Sequence, residues 1–186
     1  MKRLLLIFSL LFVFNCALGQ NKVEQVKTCD GKIYYKRNGT TIVSAESEKV
    51  LEASKKSSQP DLSEEEKALK TYGIYIVTTD KEIKDILQSA FTPELAKKYK
   101  DQKIFISIRS DNTGVITAMT FMVRESQSMW SIDPNVLSKL EDMFKKNVKM
   151  SVPINRGMFN YVIPIEISRI YSTDTALPPS AYTARN

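Results

Sequence analysis

The sequence predicts an α+β protein: a small antiparallel sheet with helices on one face. Its core runs helix–strand–strand–helix–strand, preceded by an N-terminal hairpin and helical segment. Three observations predict this. Asn38-Gly39 separates two β-prone runs, Lys32–Arg37 and Thr40–Ser44, as a type I′ hairpin requires because both central residues take positive φ. The stretch Asp133–Val148 sets Val136, Leu137, Leu140, Met143, Phe144 and Val148 along one helical face. Phe159, Tyr161, Ile163, Ile165 and Ile167 alternate with Asn160, Val162, Pro164, Glu166 and Ser168, the period of a strand with one buried face.

The chain has 186 residues, 42% of them hydrophobic and 26% charged, which excludes disorder throughout and leaves enough apolar residue for one packed domain. Met1-Lys2-Arg3 is basic and Leu4–Phe14 is an apolar run. As a helix that run rises about 16 Å, half of a ~30 Å hydrocarbon core, so it reads as a signal peptide and not as a membrane span. Ala17 and Gly19 are the small residues a cleavage site needs, placing the cut after Gly19 and the mature N-terminus at Gln20. The alternative is a lipoprotein anchored through Cys16, although Asn15 stands where Gly, Ala or Ser is normally wanted. Cleavage leaves 167 residues, no transmembrane span, and a net charge reduced from +6 to +4 by the loss of Lys2 and Arg3. Cys29 is then the only thiol, so an intramolecular disulfide is excluded. Its place beside the turn signal Asp30-Gly31 gives no sign of a tuned nucleophile.

Residues 20–79 and 80–171 read as two segments, with 172–186 a loose tail rich in Thr, Pro, Ala and Ser. After the hairpin, residues 46–58 are helix-permissive, with Val50, Leu51 and Ala53 as a thin apolar stripe. Ser57–Asp61 is a loop. Ser63 and Glu66 form a capping box that starts a short helix to about Lys70, and Ile74–Thr78 reads as a strand. Asp80 is expected to cap a helix carrying Ile83, Ile86, Leu87 and Ala90 on one face. Thr92-Pro93 opens another helix, to about Tyr99. Ile104–Ile108 and Val115–Val123 are strands joined by the turn Asp111–Gly114, with Gly114 where positive φ is needed. Ser126–Ile132 is a loop, Asp133-Pro134 begins the long helix, and Pro153 closes that element. Pro164 cannot donate to a ladder, so the last strand is expected at an edge or with a bulge.

The order of elements over about residues 80–170 resembles the TonB C-terminal domain family. Ile106–Ile116, with its Asp111-Asn112-Thr113-Gly114 turn, is similar to that family's first hairpin. Asp133–Val148 is similar to its long helix, Val148–Met150 to its exit segment, and Val162–Ile167 to its last strand. The long helix lacks the family's Ala-rich pattern, the exit lacks a Trp, and neither a permanent anchor nor a Pro-rich spacer is present. The energy-transducing role therefore does not transfer. What the resemblance implies is a Gram-negative envelope and a sheet edge that takes up an extended segment of a partner.

Catalytic signals are sparse. There is no His, so acid–base work would fall to Asp, Glu, Lys or Tyr. Glu64-Glu65-Glu66 point in different directions on a helix and are more simply a solvated face that complements the helix dipole. Asp111–Gly114 is oxygen-rich but lacks the remaining ligands of a calcium loop, which leaves a hairpin turn. A phosphate loop, a metal-spaced Cys cluster and a Gly-x-Ser-x-Gly elbow are all missing. Asn38-Gly39-Thr40 matches a glycosylation acceptor, but the turn explains it. The basic clusters Lys97-Lys98-Lys100-Lys103 and Lys145-Lys146-Lys149 lie opposite apolar stripes and read as wet helix faces; nucleic acid is not an expected partner.

The sequence therefore predicts an exported, non-enzymatic protein of the periplasm or cell exterior, without cofactor or metal. Its expected partner is an envelope or outer-membrane protein. The expected contact is a sheet edge, either Tyr161–Ile167, with Tyr161, Ile163 and Ile165, or the 104–108 strand. Trp130, beside Met129, is more simply buried under its loop; exposed, it would serve as an aromatic anchor. The alternative is a small-ligand or glycan-binding protein whose site lies between the N-terminal hairpin layer and the sheet.

Overall fold

The computed structural model describes residues 23–56, 62–123, 132–153 and 158–172. Along the chain run β1 (Glu24–Lys27), β2 (Ile33–Arg37), β3 (Thr41–Ser44), α1 (Ala45–Lys56), α2 (Glu64–Tyr72) and β4 (Tyr75–Ile76). Then come α3 (Asp80–Ala90), α4 (Pro93–Lys98), β5 (Lys103–Ser110) and β6 (Ile116–Val123). The chain continues with α5 (Pro134–Asn147), β7 (Met150–Ser151), β8 (Phe159–Glu166) and a 3₁₀ turn, Ile167–Arg169. Six strands form one antiparallel sheet in the order β1-β2-β3-β6-β5-β8, and β4 pairs with β7. The fold is α+β, with an antiparallel sheet and packed helices.

Strand alternation sets the core. Ile104, Ile106 and Ile108 of β5, Met119, Phe121 and Val123 of β6, and Ile163 and Ile165 of β8 are all buried. They pack with Ile83, Ile86, Leu87 and Ala90 of α3 and with Val136, Leu137, Leu140 and Phe144 of α5. The opposite phase of β5, with Phe105, Ser107 and Arg109, lies on the outer face.

The segments 20–79 and 80–171 share this sheet. Thr41, Ile42 and Val43 pair with Met122, Phe121 and Thr120. On the core face Ile42 therefore continues the row made by Phe121, Ile106 and Ile163. The expected hairpin layer above the sheet does not exist, because the hairpin is part of the sheet. The β1–β2 turn is also tied to α5. The Cys29 N–H donates to Asn135 Oδ1 at 2.7 Å, Ser138 Oγ donates to Asp30, and Lys32 pairs with Asp142.

The tight hairpin forms at Asn38 (φ 52°) and Gly39 (φ 68°), with Thr40 added so that Arg37 faces Thr41. The cap of α3 is Thr79 and not Asp80. Its Oγ1 accepts the Glu82 N–H at 3.3 Å, and the Glu82 carboxylate accepts the Thr79 N–H at 2.8 Å. The strand expected over 74–78 shortens to Tyr75–Ile76 because the following residues meet the end of α5 differently. Val77 N–H donates to Lys149 O at 2.9 Å, and Lys149 N–H donates to Thr78 Oγ1 at 2.9 Å. The last strand ends at Glu166, where the chain turns into the 3₁₀ segment.

Candidate functional site

A buried polar cluster sits under the sheet. Glu141 of α5 is 1% exposed. Its Oε1 accepts from Ser44 Oγ (2.9 Å), Ser47 Oγ (2.7 Å) and Lys145 Nζ (2.8 Å), and its Oε2 accepts from Tyr34 OH. Burial would raise this carboxyl, but the hydrogen bonds from Lys145, Ser47 and Tyr34 outweigh it and hold Glu141 below its ordinary range. Burial, reinforced by the Glu141 charge, drives the Tyr34 phenol far up, so it stays a neutral donor. Ser47 has a second task. The β3–β6 ladder stops at Val43, and Ser47 Oγ takes the N–H of Met119 at 3.0 Å, replacing the missing ladder bond. Every partner of Glu141 is thus a structural neighbour, and the cluster joins β2, β3 and α1 to α5.

Of the residues expected to form a partner-binding edge, Tyr161, Ile163 and Ile165 share the core-facing side of β8. Strand β8 does end the sheet, and Pro164 is tolerated there. Ile163 and Ile165, however, are buried core residues, and Tyr161 packs partly against the same core. A partner strand would meet the backbone of β8 and not these side chains. The 104–108 strand is excluded as an edge, since β5 pairs with β6 on one side and β8 on the other. Trp130, Cys16 and the cleavage residues Gly19 and Gln20 lie outside the described residues. Cys29 is exposed in the β1–β2 turn. Asp111 Oδ1 is used by its own turn, accepting from Thr113 N (2.8 Å), Thr113 Oγ1 (2.6 Å) and Val115 N (3.2 Å). Several of the clustered lysines are engaged: Lys98 lies 5.0 Å from the Tyr99 ring centroid, Lys103 pairs with Glu166, and Lys145 is held by Glu141.

A groove opens on the outer face of the sheet, away from α3 and α5. Its volume is about 600 Å³, and it is floored by Phe105, Ser107 and Arg109 of β5, by Ala118, Thr120 and Met122 of β6, and by Asn160, Val162 and Pro164 of β8. Leu51 of α1 contributes a wall. The lining is graded. Phe105, paired with Met122 and Pro164, makes the far end apolar, whereas Arg109, paired with Ala118 and Asn160, makes the α1 end polar. Arg109 Nε donates to Asn160 Oδ1 at 2.8 Å, and Nη1 donates to Ser54 Oγ of α1. Burial holds its guanidinium below the ordinary range. Beside Arg109 the β5–β6 register shifts, making Thr117 the extra residue, and Thr117 Oγ1 donates to Arg109 O at 3.2 Å. Such bulges re-aim neighbouring side chains. The sequence reading missed this groove, although one signal was present: Phe105 and Arg109 occupy the phase of β5 that a solvated face would fill with small polar residues.

No protein-family model matches the chain, and no curated protein matches it. Its structure is similar to the crystal structure of a DUF5043 family protein from Bacteroides uniformis. The TM-score is 0.53 and identity is 14%, over 78% of this chain and 90% of that one. At that identity the likeness shows a shared fold.

Proposed function

We propose that the protein is a non-enzymatic, exported binding protein that holds a small apolar molecule in the outer-face groove. One observation carries this reading. Phe105, a large aromatic in the sheet, stays 40% exposed in a concave surface lined by Met122, Val162, Pro164 and Leu51. A pocket of a few hundred cubic ångströms, mainly apolar with a few converging polar groups, has the make-up of a small-ligand site. The basic start, apolar run and small residues before Gln20 support export. Titration with the neutral dye Nile red tests the reading. Saturable one-to-one binding is expected, weakened about tenfold by Phe105→Ala as the ring's buried contact is lost. Fluorescence that never saturates would overturn it.

A second reading keeps the β8 edge as the place where an extended partner segment adds. It is supported by the terminal position of β8 in the sheet and by the resemblance to the TonB C-terminal domain family. Pro164 offers no N–H, so a partner strand would gain its bonds on either side of that residue. Slowed hydrogen exchange at residues 159–163 on partner addition would favour this reading, and unchanged exchange there would remove it.

A further inference from the structure

Arg109 is a half-buried cation with neutral company. Its two hydrogen-bond acceptors are an amide oxygen and a hydroxyl, and among the described residues no carboxylate lies within ion-pairing distance of it. Its Nη2 has no hydrogen-bond partner among those residues. Desolvating a guanidinium without a counter-charge is unfavourable, and a bound anion relieves that penalty. The group is also well positioned: Asn160 and Ser54 fix the guanidinium plane from β8 and from α1, and the adjoining bulge sets the strand's direction. Four residues along β5, about 13 Å at roughly 3.3 Å per residue, separate Arg109 from Phe105. The polar and apolar ends of the groove are therefore one medium-length alkyl chain apart.

We infer that the groove takes a single amphipathic carboxylate, a free medium-chain fatty acid or a molecule of that shape, with its carboxylate on Arg109 and its tail over Phe105, Met122 and Pro164. The assignment rests on the groove being a ligand site and adds the chemistry of the ligand. A planar guanidinium matches a carboxylate, and a charge-assisted pair inside a partly desolvated groove is stronger than a neutral hydrogen bond. The tail supplies affinity through apolar burial, and Arg109 supplies orientation and discrimination.

The test compares three probes of equal tail length on the purified protein: laurate, dodecanol and dodecyltrimethylammonium, each displacing Nile red below its micellar concentration. Laurate is expected to bind about tenfold tighter than dodecanol, and the cationic probe weaker than either. Arg109→Gln should abolish the preference for laurate over dodecanol, and Arg109→Lys should retain part of it. Equal binding of laurate and dodecanol to the unaltered protein would overturn the carboxylate assignment and leave the apolar-ligand reading standing. Failure of all three probes and of the dye would overturn both. A concentration-dependent dimer that excludes every probe would give the groove to a second copy, and that too would overturn the assignment.

Discussion

Glu141 is the buried carboxylate on which Tyr34, Ser44, Ser47 and Lys145 converge. Its folded-state pKa lies below the ordinary value of 4.5, because the donors from Lys145, Ser47 and Tyr34 outweigh the effect of burial. A carboxyl whose pKa is depressed on folding contributes stability that is present above its unfolded pKa and lost as pH falls through the lower folded value. Glu141→Gln should therefore cost about 2–3 kcal/mol at pH 7, leaving Lys145 without its ion-pair partner on α5 and Tyr34 facing a poorer acceptor. The gap between variant and parent should narrow as pH falls below the ordinary carboxylate range. Urea midpoints at neutral and acid pH measure both numbers. A gap that stayed constant with pH would mean that the charge at Glu141 contributes nothing. Sequence reading could not single this residue out. Glu141 lies within a helix whose Lys139, Asp142 and Lys146 are exposed, and only the tertiary approach of Tyr34, Ser44 and Ser47 distinguishes it.

At the scale of elements, two of the β-turn glycines, Gly39 and Gly114, look alike in sequence and differ in the structure. Gly39 and Gly114 both take positive φ, at 68° and 82°. A Cβ on Gly39 would meet nothing within 4 Å, whereas one on Gly114 would lie 2.0 Å from the carbonyl oxygen of Met150. The β5–β6 turn is pressed against the exit of α5, where Met150 N–H donates to Gly114 O at 3.2 Å and Val115 bridges Lys149. Gly39→Ala should cost about 1 kcal/mol, the conformational penalty alone. Gly114→Ala adds a backbone collision and should cost well over 2 kcal/mol, read as a lowered thermal midpoint. Equal losses would show that the close approach gives way cheaply. What the chain spells out locally is legible here: the Asn-Gly turn, the Thr92-Pro93 and Asp133-Pro134 helix starts, and the alternation of β5 and β8. What it does not spell out is β1, whose Glu-Gln-Val-Lys run is too polar and short to stand apart from a loop. Thr79 was obscured in the same way, because Asp80 beside it is also a favoured cap.

For the whole molecule, the decisive feature is the pairing of β3 with β6, two strands far apart in sequence. No local signal encodes which strand neighbours which, so a boundary near Asp80 was the natural reading of two differently patterned halves. The sheet makes the halves interdependent. Without β1–β3, strand β6 would present Thr120, Phe121 and Met122 as a bare edge, and Ile42 and Tyr34 would no longer cover the core row or satisfy Glu141. Exposed edges of this kind invite association between chains. Residues 20–79 should therefore unfold together with the remainder, in one cooperative step. Native-state hydrogen exchange distinguishes the cases directly. The amides of Ile42 in β3 and Ile106 in β5 should open with the same free energy and the same denaturant dependence, as members of one unit. A chain beginning at residue 80 should associate and lack a sharp unfolding transition. Were Ile42 to exchange at a much lower free energy than Ile106, and the shortened chain to stay monomeric and cooperative, the hairpin would be an accessory edge. The groove's β8 end could then be studied without it. A single opening free energy instead ties the groove to the N-terminal segment. Arg109 is held by Ser54 of α1, and α1 is joined to β6 and α5 through Ser47, so loss of β1–β3 should abolish ligand binding along with the fold.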